Sequence, residues 1–168
     1  MIKSKIGMTD KVFMGVGKGF HSDIGMTGNM VVELFGENGR LKDKREVHNV
    51  DTTLAHAMVS NRISASPTIV VPGWMELGTG TGQTAASTTL ASYIVDSRTA
   101  LDSSVAVAAV LTMICTFPAG TGTGAVTEAG VFNVVTQNTT DLLTYAEFSV
   151  INKGAGDSLV VTWTLTFS

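Results

Sequence analysis

From Ser158 to Phe167 apolar and hydroxyl residues alternate. Leu159, Val161, Trp163, Leu165 and Phe167 fall on one side of an extended chain, and Thr162, Thr164 and Thr166 fall on the other with Val160. A period of two is what a β-strand with one buried face requires. The segment Asn152–Asp157 before it holds two glycines flanked by Asn and Asp, which suits a turn. A core strand is therefore predicted here, with Trp163 committed to the interior.

The same reading continues upstream. Met30 to Phe35 reads as a strand, Glu37-Asn38-Gly39-Arg40 as a tight turn, and Leu41 to Val50 as the return strand. Asn-Gly is a strong hairpin signal because both residues tolerate positive φ. The return strand carries Lys42, Asp43, Lys44, Arg45 and Glu46, which places it at an exposed edge where mixed charge discourages unwanted pairing. Asp51-Thr52-Thr53 supplies a helix N-cap, and Leu54, Met58 and Ile63 share one stripe of a short helix ending near Ser64. Thr68 to Leu77 reads as a strand that Pro72 and Gly73 must bulge or place at an edge. Tyr93 to Arg98 is a short extended piece. Val105 to Phe117 reads as one long strand, with Val105, Val107, Leu111, Met113, Cys115 and Phe117 on one face. The opposite face carries Ala106, Ala108, Val110, Thr112 and Ile114, too apolar for plain solvent exposure. Further strands fall at Val126 to Phe132 and Leu142 to Val150. Short strands, Gly-rich punctuation and one helix describe a mainly β protein, a β-sandwich or jelly-roll-like domain spanning residues 30–168.

Residues 1–29 differ from the rest. They hold four of the eight methionines and many glycines, with no clean helix or strand period, and Ile6-Gly7-Met8-Thr9 returns as Ile24-Gly25-Met26-Thr27. Methionine adapts to irregular apolar surfaces, and glycine lets the backbone lie close to them. This stretch is read as an extended arm that docks on a neighbouring subunit, with Ile6, Met8, Phe13, Phe20, Ile24 and Met26 as its anchors.

Charge adds to the picture. Only 15 % of the 168 residues are charged, below the usual quarter, so much of the surface is expected to be covered by copies of the chain or by a partner. A homo-oligomer is the expected state. The net charge of −3 argues against nucleic acid as a partner. Of the eleven Lys and Arg residues, only Arg98 and Lys153 follow Ile63, which leaves the remainder acidic. The apolar run at 105–117 is too short to cross a bilayer as a helix, so no membrane partner is expected. The single Cys115 excludes an internal disulfide and reads as a buried, inert thiol.

Catalytic and cofactor chemistry demands residue patterns that the chain meets only in part. Gly78-Thr79-Gly80-Thr81-Gly82 invites a phosphate-binding reading, but a P-loop needs Gly-Lys-Ser/Thr and Gln83 follows Gly82. No βαβ pattern surrounds Asp102, which lies at the spacing of a ribose-binding carboxylate. The same Gly-Thr-Gly-Thr-Gly string recurs at 120–124, which favours turn chemistry. His21, His48 and His56 lack the close, repeated spacing of metal ligands. A His56, Asp51 and serine set carries no weight in a Ser-rich chain without a nucleophile elbow. Glu128 and Glu147 are expected to sit on a solvated face or in turn contacts rather than to act as glycosidase carboxylates. No catalytic, cofactor or metal residues are assigned, and an enzyme is not expected.

An ordered series of pieces carries a resemblance. Val32-Glu33-Leu34-Phe35-Gly36-Glu37-Asn38-Gly39 is followed by Glu46-Val47-His48-Asn49-Val50 leading into a helix, and then by Glu76 to Thr84. Phe117 to Gly122, Thr127 to Phe132, Glu147 to Gly154 and Val161 to Leu165 continue it. Over roughly Met30 to Phe167 the chain resembles a set of tailed-bacteriophage virion structural proteins, described as head-decoration or tail-fibre-like. The resemblance implies a non-enzymatic building block located in the virion. The leading expectation is a capsid decoration (cement) protein, a trimer docked on the major capsid protein; the alternative is a tail, baseplate or fibre-adaptor component docked on a tail protein. A surface carbohydrate-binding module is a further alternative, with Trp74, Tyr93 and Tyr145 as the rings that would stack on sugar.

Overall fold

The computed structural model describes residues 25–168. Ten strands and one helix follow in order: β1 (Met26–Phe35), β2 (Leu41–His48), β3 (Val50–Asp51), α1 (Thr53–Ile63), β4 (Trp74–Gly78), β5 (Thr99–Ala100), β6 (Ser103–Val107), β7 (Val110–Phe117), β8 (Gly124–Phe132), β9 (Leu142–Lys153) and β10 (Ser158–Phe167). They form two five-stranded antiparallel sheets, one in the order β2-β1-β10-β7-β6 and the other in the order β3-β9-β8-β4-β5. The mainly β sandwich expected from the alternation is the fold observed.

The alternating strands explain the core. Met30, Val32 and Leu34 of β1, Met113, Cys115 and Phe117 of β7, and Leu159, Val161 and Trp163 of β10 are all buried against the second sheet. Met75, Leu77, Ala129, Val131, Ala146 and Ile151 answer them from the other side. Cys115 is inside, and burial pushes its thiol up to about 12 with a smaller contribution from Asp102. A second, smaller cluster of Leu90, Phe132, Leu142 and Tyr145 lies outside the second sheet, under the segment between β4 and β5. That segment therefore forms a partial third layer.

Helix α1 starts where its cap residues require. Thr52 accepts from the Ala55 amide, and its hydroxyl lies 2.7 and 2.9 Å from the carbonyls of Leu142 and Leu143. One threonine thus caps the helix and ties it to β9. Ser64 closes the other end. Leu54 and Met58 pack on the core, whereas Ile63, expected on the same stripe, is 75 % exposed.

Four further expectations are corrected. The strand read from Met30 begins at Met26, where β1 pairs with β10 from Met26↔Phe167 onward. The long strand from Val105 to Phe117 is a hairpin: β6 and β7 pair as Val107↔Val110 through Ser103↔Ile114, joined by Ala108 and Ala109. Ala108 has φ of 51° and Ala109 does not share it, which fits the type II′ turn that right-twisted strands favour. The strand expected from Thr68 is confined to Trp74–Gly78, because Pro67 and Pro72 have no ladder donor. Tyr93 to Arg98 is extended only at its start, where Tyr93 bridges Gly78 and the Ile94 amide donates to the Leu77 carbonyl at 2.8 Å; Asp96, with φ of 58°, then turns the chain.

Candidate functional site

The Gly78–Gly82 loop does bind an anion, and the anion belongs to the protein. Glu128 of β8 is completely buried and faces the loop. Its Oε1 accepts from the Gly80 and Ser92 amides, both at 2.9 Å, and its Oε2 accepts from the Ala91 amide at 3.2 Å and Gln83 Nε2 at 3.3 Å. Backbone amides converging on a carboxylate make charge-assisted bonds of the kind that phosphate loops offer a ligand. Glu147, opposite Glu128 in the ladder, accepts from the Gln83 amide at 2.7 Å. Both carboxylates are therefore employed in holding the third layer on the sheet. Glu147 conforms to the turn contact expected for it; Glu128 departs from the solvated alternative, because the loop closes over it.

A second buried polar group sits nearby. Arg98 donates to Glu76 at 2.9 Å and to Asp141 at 3.3 Å, and its guanidinium lies 3.5 Å over the Phe132 ring. Gln137 closes the group by bonding Glu76. Burial pushes the Glu76 carboxyl up, against the pull of the Arg98 guanidinium. Arg98 also donates to the Val134 carbonyl at 2.7 Å, so the cluster anchors the β8–β9 connection. Burial also raises Asp51, opposed by its bond to Thr144, and that residue serves the β2–β3 crossing with Asn49. Among the described residues no cluster of three His, Cys, Asp or Glu side chains has the arrangement to hold a metal ion. Of the rings expected to stack on sugar, Tyr145 is buried, and Trp74 and Tyr93 are half-buried against the outer cluster.

The outer face of the first sheet is different in character. Across β6, β7 and β10 the register sets out the rows Val107–Val110–Thr166, Val105–Thr112–Thr164 and Ser103–Ile114–Thr162. No residue in these rows is charged. Val105 and Val107 are 54 % and 69 % exposed. Charge returns only at the far side of the sheet, where Glu33 of β1 meets Lys44 of β2 at 3.4 Å. The two edges of one sheet are thus opposites. Edge β2 carries five successive charged residues from Lys42 to Glu46, whereas edge β6 reads Ser-Ser-Val-Ala-Val with no charge, proline or bulge. Among the described residues no further strand pairs with β6, and an uncharged edge left so is a template for another strand.

The apolar face foreseen at 106–114 is therefore relocated. Val110, Thr112 and Ile114 do lie on the outer side, but the hairpin brings Val105 and Val107 beside them and removes Ala106. Sequence reasoning missed the edge because Ala108-Ala109 carries no turn signal. The five uncharged residues of β6 were visible, but their position was not.

Of the proposed arm anchors, Met26 lies in β1 opposite Phe167 and lines a groove of about 180 Å³ beside α1. Ile6, Met8, Phe13, Phe20 and Ile24 lie outside the described residues. Compared with known protein families, characterised proteins and solved structures, the chain matches none.

Proposed function

We propose that this protein is a non-enzymatic structural component of a tailed-bacteriophage virion. It acts as a capsid decoration protein that assembles with copies of itself, as a trimer, and docks on the major capsid protein. Neither nucleic acid nor membrane is among its partners. The observation that carries the reading is the uncharged Val/Thr face ending at the β6 edge, which pairs with no further strand among the described residues, on a fold whose buried carboxylates, among the same residues, are engaged in structure. Such a face supports assembly, because packing it against another sheet removes valine surface from water without desolvating charge. The ordered resemblance to phage virion proteins supports a place in the particle.

The test is to locate the protein on purified particles and count it. Hundreds of copies distributed over the head are expected. A few to a few dozen copies at the tail would replace decoration by a tail or baseplate role, and absence from particles would overturn both. In solution, sedimentation should find a trimer, and Val105→Lys with Val107→Lys should dissociate it to a monomer that keeps the wild-type circular-dichroism spectrum and whose melting temperature no longer depends on protein concentration. A wild-type monomer at micromolar concentration would remove the assembly part of the reading.

A further inference from the structure

The turn between β1 and β2 holds a reactive pair. Of the seven asparagines in the chain, Asn38 alone is followed by glycine; the others precede Met, Val, Arg, Thr or Lys. Gly39 has no side chain to screen its amide nitrogen from the neighbouring carboxamide. Two of the other carboxamides are also tied down. Asn61 Oδ1 accepts from the Thr68 and Ile69 amides, both at 2.9 Å, and Asn49 Nδ2 donates to Asp51 and Thr144 at 2.7 and 2.6 Å.

Glu37, Asn38 and Gly39 form the loop, closed by the Gly36 amide donating to the Arg40 carbonyl at 2.9 Å, with Gly39 at a φ of 71°. The chain is exposed from Glu37 to Arg40. Two hydrogen bonds act on the pair in opposite senses. The Gly39 amide donates to the Gly36 carbonyl at 2.8 Å, and that bond must open before the nitrogen can react. Because water reaches the turn, it opens locally at small cost. The Arg40 amide donates to Asn38 Oδ1 at 3.0 Å. Attack at Cγ builds negative charge on that same oxygen, and a donor already aimed at it binds more strongly as the charge develops.

We propose that Asn38 is a site of spontaneous covalent modification, converted in the folded protein to aspartate or isoaspartate by attack of the Gly39 amide nitrogen. The nitrogen gives its proton to hydroxide and bonds to Asn38 Cγ. The bond from Cγ to Nδ2 breaks, and Nδ2 takes a proton from water and leaves as ammonia, closing a cyclic succinimide. Water then opens the ring at Cγ, giving aspartate, or at the main-chain carbonyl, giving isoaspartate. Either product adds a negative charge to the cleft that Asn38 lines with Arg40 and Lys42. Isoaspartate also lengthens the main chain by a methylene, in a loop whose length sets the Phe35↔Leu41 register. This inference does not depend on the assignment to a virion.

The experiment incubates the full chain at neutral and mildly alkaline pH, folded and in urea, in water enriched in heavy oxygen. Peptide mass spectrometry is expected to find the amide-to-acid change first at position 38, carrying the oxygen label. Electron-transfer fragmentation should show both aspartate and isoaspartate there. The rate should rise in proportion to hydroxide, and be about ten-fold lower in the folded chain than in urea, the cost of opening the bond from Gly39 to Gly36. Asn38→Gln, checked for the wild-type circular-dichroism spectrum, should remove most of the ammonia that the folded chain releases. A position 38 that stays intact in the folded chain, whether or not it converts in urea, would overturn the proposal. Earlier conversion at another asparagine of the folded chain would overturn it equally.

Discussion

The Glu128 carboxylate lies 2.9 Å from the Gly80 amide, and a side chain at position 80 would have to occupy the space between them. A Cβ on Gly80 would stand 2.6 Å from Glu128 Oε1 and 2.7 Å from the Ser92 nitrogen. The carboxylate and the glycine are therefore one device. Gly80→Ala is expected to destabilise the fold by about 1–3 kcal/mol through overpacking. Glu128→Gln keeps the shape but turns an amide group toward donors, at a cost of about 1–3 kcal/mol. Urea denaturation of the two variants checks both values, and the double variant should lose less than their sum.

Arg98 is the keystone of the buried ionic group, with side chains of Arg98 and Glu76 only 3 % and 2 % exposed. Arg98→Leu leaves Glu76 and Asp141 without their counter-charge and should cost about 3–5 kcal/mol. Arg98→Lys should recover only part of this, since an ammonium lacks the planar fork that reaches two carboxylates while lying over Phe132. Thermal melts at neutral pH would show the order wild type, then Lys, then Leu.

At the tip of the β6–β7 hairpin, Ala108 holds a φ that L-residues other than Asn and Asp rarely adopt. Glycine carries no penalty there. After its greater freedom in the unfolded chain is set against the relieved strain, Ala108→Gly should stabilise by about 0.5–1 kcal/mol. A rise in the denaturation midpoint with an unchanged slope would meet this expectation; a fall would mean that the turn is not of this type.

The Asp157 carboxyl is held below its ordinary value of 3.8, chiefly by the hydrogen bond from Lys42 and also by the Gly154 amide. The Lys42 ammonium reaches it at 2.9 Å, and the Gly154 bond is also 2.9 Å. In acid the unfolded chain takes up this proton before the native protein does, so stability present above 3.8 is lost as the pH falls below it. Asp157→Asn should be less stable than wild type at neutral pH and should show a shallower loss on going from about pH 6 to about pH 3. Lys42→Met should do the same. Denaturant titrations across that range decide the matter. Lys153 alongside is buried, donating to the carbonyls of Pro118 and Asp157 at 2.9 and 2.6 Å, and burial lowers its proton affinity.

Local pattern made much of this fold legible. Alternation named the inward residues of β10, the Asn-Gly turn placed the first hairpin, and Thr52 announced α1, because each depends on neighbours within a few positions. The β6–β7 hairpin was not legible. Its turn is Ala-Ala, held in a strained conformation by the pairing of the strands on either side, so thirteen residues read as a single strand. The roles of Glu128 and Arg98 were hidden for a related reason. Their partners stand 36 to 48 and 22 to 43 positions away, and nothing in a local window shows that a Gly-Thr-Gly loop will close on a distant carboxylate. The sequence by itself determined which residues prefer to be extended, which face of the last strand is apolar and where charge is scarce. Only the tertiary structure decided which strand became an uncharged edge and which glycines face a buried charge, because those depend on contacts that chain closure brings together and residue type alone does not specify.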